Sequence, residues 1–281
     1  MNQLESLFNT LEEKLLEISL YGSFLVEDST KQYKEHLTKT KNDEYYIKKR
    51  LAYFDILNNE INMSNSLIKR NAEQLHNDIN DHINKQLQWL FIEAYELYEK
   101  YISNLYSLVG CLDNNFWIAE DFREIQINDI NKLKKPDFDD LTEKKKDKPY
   151  SIIKIFEQRL KLKSYYDSKT PIHNYDFLMN LLSMFRNGIV HDSGFINKRE
   201  LLNKLIKKSG INGVDNIDIY NQVILNYLGR EEYENMICLT KVKKELIKGY
   251  ALYSQNNRFE SLISILLSYS KFINTLLVKT I

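Results

Sequence analysis

The chain has 281 residues, of which 43% are hydrophobic, so it can bury one large core or two smaller ones. Its 39 basic and 39 acidic residues cancel, so net charge does not favour binding to nucleic acid. Any electrostatic binding of nucleic acid would depend on a local basic patch. With 8 Gly and 3 Pro, it lacks the turn residues that sheet-rich folds need, and this favours an all-α protein. Cys111 and Cys238 fit free thiols in a reducing compartment better than a disulfide scaffold or a zinc site.

Apolar residues at helical spacing predict three helices in the N-terminal part of the chain. The first covers about the first twenty residues. The third is unusually long and runs without a break from Leu75 to Leu108. The second is predicted to begin near Asp43, and its apolar positions are Ile47, Leu51, Phe54 and Ile61.

The helical pattern fades between residues 112 and 149. Two prolines, Pro136 and Pro149, and the charged run 143–148 interrupt this stretch, which predicts a solvated loop or an inserted linker. We therefore expect an N-terminal helical segment over 1–84. A helical domain over 85–281 would follow, with the insertion at about 112–149.

Helical spacing returns after residue 150, and the apolar run 177–184 predicts a buried helix capped by Asn174 or Asp176. Another amphipathic helix follows, with the apolar residues Leu201, Leu202, Leu205 and Ile206. Residues 217–227 then alternate like a strand, so that Gly229 and residues 236–239 predict a small β-hairpin. Two closing helices are expected at about 240–253 and 258–278.

Neither end of the chain indicates a membrane protein. The first residues contain no basic stretch followed by an apolar stretch, so no signal peptide is expected. The most apolar segment, 262–278, is interrupted by Lys271 and several serines, which indicates a buried helix and not a membrane span. The expected location is the cytoplasm, with no membrane partner.

The most informative residues are Arg186, Asn187 and His191, at the end of the apolar helical run. The guanidinium of an arginine can grip a phosphate with two hydrogen bonds, an amide can orient a neighbour, and an imidazole titrates near neutral pH. On a helix, Asn187 and His191 fall about 40° apart, and the long Arg186 side chain can reach the same site. These groups suffice to cut RNA without a metal.

The segment 185–191 resembles the Arg-Asn-x-x-x-His signature of HEPN-domain ribonucleases, which are all-helical proteins of toxin–antitoxin, abortive-infection and CRISPR systems. The resemblance implies a HEPN-like helical bundle and a homodimer whose two motifs form one composite active site, without metal or cofactor. It makes His191 the general acid or base on the ribose 2′-OH or the leaving oxygen, with Arg186 stabilising the charge of the transition state. Asn187 would orient His191 or contact phosphate, and Glu96 on a neighbouring helix would assist.

A basic cluster follows the motif, with only Glu200 opposing it. On one interpretation it steers RNA phosphates into the site; on the other it is the solvated face of an amphipathic helix. Its members are Lys198, Arg199, Lys204, Lys207 and Lys208.

The function predicted from the sequence is a metal-independent endoribonuclease, the toxic effector of a toxin–antitoxin or anti-phage abortive-infection system. Its substrate would be tRNA, mRNA or rRNA, and an antitoxin or defence-system protein is a possible partner. Some toxins of the family carry a tyrosine two residues after the histidine that an antitoxin modifies. Ser193 occupies that position here, so any antitoxin would act otherwise.

The alternative is a non-catalytic HEPN-like module for interaction or dimerisation. Arg186 would then cap the end of its helix and His191 would satisfy a carbonyl of the last turn.

Overall fold

The computed structural model describes residues 2–39, 44–167, 169–211, 214–229, 234–240 and 258–281. These residues are mainly helical, which confirms the predicted fold class. The helices are α1 (Asn2–Lys39), α2 (Ala72–Leu112), α3 (Ile127–Ile130), α4 (Lys135–Glu143), α5 (Tyr150–Arg159), α6 (Tyr175–Asp192), α7 (Lys198–Lys208), α8 (Val214–Leu225) and α9 (Arg258–Thr280). The strands are β1 (Glu44–Asp55) and β2 (Glu60–Asn71). The helix predicted over 240–253 lies outside the described residues from 241 onward.

The chain divides into two compact units, one formed by 1–20 together with 87–281 and the other by 21–86. The division at 86/87 lies two residues from the boundary expected at 84/85. The first twenty residues, however, belong to the larger unit and not to a separate N-terminal segment. The reason is burial, because α1 places an apolar stripe in that core: Leu4, Phe8, Leu11, Leu15 and Ile18.

The core of the larger unit is built from α2, α6 and α9. Tyr98 of α2 and Tyr175 of α6 both contact the ring of Tyr269 on α9, at centroid distances of 6.4 and 5.1 Å. By length and composition, α9 is the one helix among the described residues that could cross a membrane. Most of its apolar side chains are instead buried against the other helices, including Leu262, Leu266 and Ile273, so it is a core helix here.

The predicted solvated loop at 112–149 is instead a packed region of short helices, α3 and α4 among them. Trp117 stacks on Tyr106 at a centroid distance of 4.7 Å, and its indole N–H donates a hydrogen bond of 2.9 Å to the Tyr106 carbonyl. Phe122 and Phe138 complete the cluster and are buried. Single aromatic residues hold this region against the core. Its helices are too short to show apolar periodicity, and the sequence pattern therefore did not predict them.

The helix predicted to begin near Asp43 is wrong, because residues 44–71 form an antiparallel hairpin of β1 and β2. The turn at 55–59 explains why this segment forms a hairpin and not a helix. The Asp55 carboxylate accepts hydrogen bonds from the backbone N–H groups of Leu57 and Asn58, at 3.0 and 3.2 Å. Asn59 adopts a left-handed conformation with φ of 52°. Asp and Asn are favoured in such turns, and this local chemistry outweighs the helical spacing of the flanking apolar residues.

The hairpin predicted after the motif is only partly present. Residues 217–225 lie in α8, where Tyr220, Val223 and Ile224 face the core at helical spacing. A single bridge joins Leu228 to Ile237, so the pairing around Gly229 is confirmed for one pair of residues. Residues 230–233 between them lie outside the described part of the chain.

Candidate functional site

The candidate site is carried by α6, whose start is fixed by a side-chain cap. Of the two predicted caps, Asn174 is the one used: its carbonyl oxygen accepts the Phe177 N–H at 3.1 Å. The Asn174 amide also donates to the Tyr220 hydroxyl at 3.0 Å, which ties the cap to α8. The apolar run then buries one face of the helix through Phe177, Leu178, Leu181, Leu182, Phe185 and Ile189.

The end of α6 is held by backbone contacts. The Gly194 N–H donates to the Gly188 carbonyl at 2.9 Å, and the Gly194 carbonyl accepts the Ile237 N–H at 2.8 Å. Gly188 lies inside the helix, where an added Cβ would stand 3.2 Å from the Phe195 carbonyl oxygen. Its lack of a side chain thus allows the chain after α6 to return close against the helix.

The three motif side chains differ in burial. Arg186 is half-buried, whereas Asn187 and His191 are exposed. An Nη1 hydrogen of Arg186 is donated to Oδ1 of Asn187 at 3.2 Å, so these two groups meet as the helical geometry predicts. His191 follows Asn187 by one turn. Among the described residues none hydrogen-bonds its imidazole, so the expected alternative contact with a last-turn carbonyl is absent there.

A carboxylate from α2 lies within electrostatic range of Arg186. Burial raises the pKa of Glu99, while the Arg186 charge opposes this shift and the Glu96 charge adds to it. Glu96, the residue expected to assist the motif, is itself exposed. Glu99 was missed, although it stands four residues after the buried Tyr95, a spacing that indicates the same helix face.

Tyr95 and Ser183 form a second contact between α2 and α6. Burial raises the pKa of Tyr95 to about 12, and the hydrogen bond with Ser183 and the charge of Arg186 act in the opposite direction. The Nε of Arg186 is buried and has no hydrogen-bond acceptor among the described residues. The guanidinium therefore has Asn187 as its hydrogen-bond partner and interacts with the α2 residues Glu99 and Tyr95 through its charge.

A cleft of about 1110 Å³ lies between α6 and α7 and is bordered by Asn187. Its other wall carries Lys204, Lys207 and Lys208, three of the five predicted RNA-binding residues. Lys204 forms an ion pair with Glu200, one turn earlier on α7. The cleft thus joins one motif residue to a cationic wall, while Arg186 and His191 are not among the residues that line it.

Lys198 and Arg199, the remaining two predicted RNA-binding residues, face a different pocket of about 490 Å³. This pocket is bordered by Asn221 and Glu234. The basic cluster is therefore divided between two sides of α7, a division that follows from the helical period of 3.6 residues.

In the part of the chain that the structure describes, no group of three or more His, Cys, Asp or Glu side chains is placed to hold a metal ion. No family model matches the chain, and it matches neither a curated protein nor a solved structure. Any assignment of function therefore depends on the chemistry of Arg186, Asn187 and His191 and on the cleft beside them.

Proposed function

We propose that the protein is a metal-independent endoribonuclease of the HEPN type that acts as a homodimer. The observation that carries this proposal is the contact between Arg186 and Asn187 at 3.2 Å, with an exposed His191 one turn further along the same helix. An anion-binding fork, an amide and an acid/base group that are held together at a helix end match the needs of phosphodiester cleavage.

In the proposed reaction, a His191 imidazole takes the proton from a ribose 2′-OH and the 2′-oxygen attacks the adjacent phosphorus. The bond from phosphorus to the 5′-oxygen breaks, and a protonated imidazole returns a proton to that oxygen. The products are a 2′,3′-cyclic phosphate and a free 5′-hydroxyl. In a dimer, the two copies of His191 would divide the acid and base roles.

Arg186 supplies positive charge to the phosphorane-like transition state, and Asn187 orients His191 or contacts phosphate. A positive charge placed where negative charge develops in the transition state is among the largest contributions to catalysis. The cleft lysines Lys204, Lys207 and Lys208 support a path for the RNA backbone towards Asn187. The cellular role we propose is that of a cytoplasmic toxic effector in a toxin–antitoxin or abortive-infection system.

One observation favours the second candidate, a non-catalytic helical interaction module. The Arg186 guanidinium is half-buried beside Glu99 and Tyr95, an environment that also suits a purely structural role. In that module, the Arg186–Asn187 contact would stabilise the packing of α6 on α2 and His191 would have no chemical task.

The two candidates are separated by comparing the wild-type protein with His191→Ala and Arg186→Ala. We expect the wild type to cut tRNA, mRNA or rRNA in the presence of EDTA and to leave cyclic phosphate ends. Each variant should cut at least about 100-fold more slowly, the usual contribution of a positioned acid or base. His82→Ala removes another exposed histidine and serves as the matched control.

The same variants are then expressed in growing cells and in cells challenged with phage, which covers an effector that needs a trigger. Equal absence of cutting and of toxicity in wild type and His191→Ala in every condition would favour the interaction module, and equal cutting by both would show that His191 is not the catalytic group.

A further inference from the structure

The β1–β2 hairpin leaves a large amount of protein surface unburied. No residue from 46 to 74 is buried, and among the described residues neither strand pairs with a third. A two-stranded hairpin with both faces in water is marginally stable at best, so this segment needs a covering partner.

Many of the exposed side chains of the hairpin are large and apolar. Between residues 51 and 67, eight large apolar side chains are 53% to 95% exposed. They are Leu51, Tyr53, Phe54, Ile56, Leu57, Ile61, Met63 and Leu67. Of these, Phe54, Ile61, Met63 and Leu67 share one face of the hairpin, because side chains alternate along a strand.

The two edges of the hairpin differ in charge. The middle of β1 carries Lys48, Lys49 and Arg50, and positive charges on an edge strand oppose pairing with another copy of the same strand. The stretch from Ile61 to Ile68 in β2 contains no charged residue and no proline. Only the β2 edge is therefore free of the features that normally prevent edge-to-edge association.

We propose that the β2 edge binds the β2 edge of a second copy of this chain, in antiparallel orientation, to form a four-stranded sheet. A two-fold axis at either Ser64 or Asn65 pairs that residue with its own copy and sets the uncharged stretches of the two copies against each other. It also keeps equivalent faces on the same side of the sheet, as an isologous contact requires.

The register of the hairpin places an apolar patch on one face near the turn, while Lys48 and Arg50 lie further along the same face. Phe54 is opposite Ile61 and Ala52 is opposite Met63, and because side chains alternate, all four point to the same side. Pairing across the two-fold axis joins this face to its copy and buries apolar surface at the centre of the sheet. Pairing through β1 would instead set Lys48, Lys49 and Arg50 against their own copies.

The β2 contact would belong to the same homodimer that the proposed function requires, and it can form whether or not the protein cuts RNA. The test measures mass by light scattering and affinity by sedimentation for the wild type, Ser64→Lys and Leu51→Lys. Leu51 lies opposite Ser64 on β1 and is exposed, so both substitutions place a lysine on the same face of the hairpin, but only Ser64→Lys places it beside its own copy. We expect a dimeric wild type, at least about tenfold weaker dimerisation of Ser64→Lys, and an unchanged Leu51→Lys.

Cross-linking provides a second measurement that does not rely on a disruptive variant. Directly opposite residues in an antiparallel pair have Cα atoms about 4.5–5.5 Å apart, within reach of a disulfide. In a background with the exposed Cys111 changed to Ser, either Ser64→Cys or Asn65→Cys should give a covalent dimer under mild oxidation, and Ala52→Cys should not.

Several results would overturn this inference: a monomeric wild type, a Ser64→Lys protein as dimeric as the wild type, or failure of both β2 cysteines to cross-link. A monomer that floats with phosphatidylglycerol vesicles would assign the apolar surface to a membrane instead. A dimer that cuts no RNA would count against the proposed function alone.

Discussion

At the scale of single residues, Arg186 has two orienting neighbours of opposite kinds. The amide of Asn187 accepts one of its hydrogens at 3.2 Å, and the carboxylate of Glu99 lies within its electrostatic range. If Arg186 binds a phosphate as proposed, these neighbours would reduce the freedom that its side chain loses on binding. His191, which would exchange protons in the proposed reaction, is exposed.

We expect Glu99→Gln to lower RNA cleavage by about 10- to 100-fold, the loss that follows when a catalytic group is misplaced. Glu96→Gln is the matched control, since it removes an exposed carboxylate one turn away. Equal activity of the two variants would show that Glu99 does not position Arg186.

The stability of Glu99→Gln shows whether Glu99 positions Arg186 or stabilises the fold. Because burial raises the pKa of Glu99 above 4.5, the folded protein retains a proton that the unfolded chain releases as the pH rises through that range. The contribution of Glu99 to stability therefore falls with rising pH, and glutamine removes this loss. Urea unfolding at pH 7.5 should find Glu99→Gln at least as stable as the wild type, even though its activity is lower.

At the scale of secondary-structure elements, α7 has two basic sides with different neighbours. Lys207 and Lys208 border the cleft that Asn187 also borders, whereas Lys198 and Arg199 face the smaller pocket near Asn221. If RNA enters through the larger cleft, only the first pair contacts its phosphates.

We expect the double variant Lys207→Ala/Lys208→Ala to bind single-stranded RNA more weakly than Lys198→Ala/Arg199→Ala, which removes the same charge. Loss of two phosphate contacts should reduce the slope of log affinity against log salt by about 1.4. Fluorescence anisotropy at several salt concentrations measures both quantities. The same loss from both double variants would indicate a general electrostatic effect and no preferred path.

At the scale of the whole molecule, the proposed activity depends on a second copy of the chain. Each chain offers a single Arg186–Asn187–His191 set, and the proposed reaction needs one imidazole to accept a proton and another to donate one. On this proposal, two chains would together form one complete site.

Mixing experiments test this dependence. Wild-type chains that exchange into dimers with an excess of His191→Ala should lose activity per wild-type chain, whereas an excess of His82→Ala should have no effect. Initial cleavage rates at several mixing ratios give the answer. Rates that stay proportional to the amount of wild-type chain would show that each chain is active by itself.

The sequence alone determined the elements whose residues repeat with a clear period. The long helix at 75–108, the motif helix and the closing helix at 258–278 agree with α2, α6 and α9 within a few residues. The sequence also indicated that the long Arg186 side chain could reach Asn187, although the two residues point about 100° apart on the helix.

Only the tertiary structure decided the features that depend on residues distant in sequence. The approach of Glu99 to Arg186, the cleft between α6 and α7, and the packing of Trp117 on Tyr106 all join separate segments, and local spacing does not encode such contacts. The hairpin at 44–71 was missed because its apolar spacing also fits a helix, and the Asp55 turn decides between the two. Periodicity reports which face of an element is buried, whereas a site is made where faces of different elements meet.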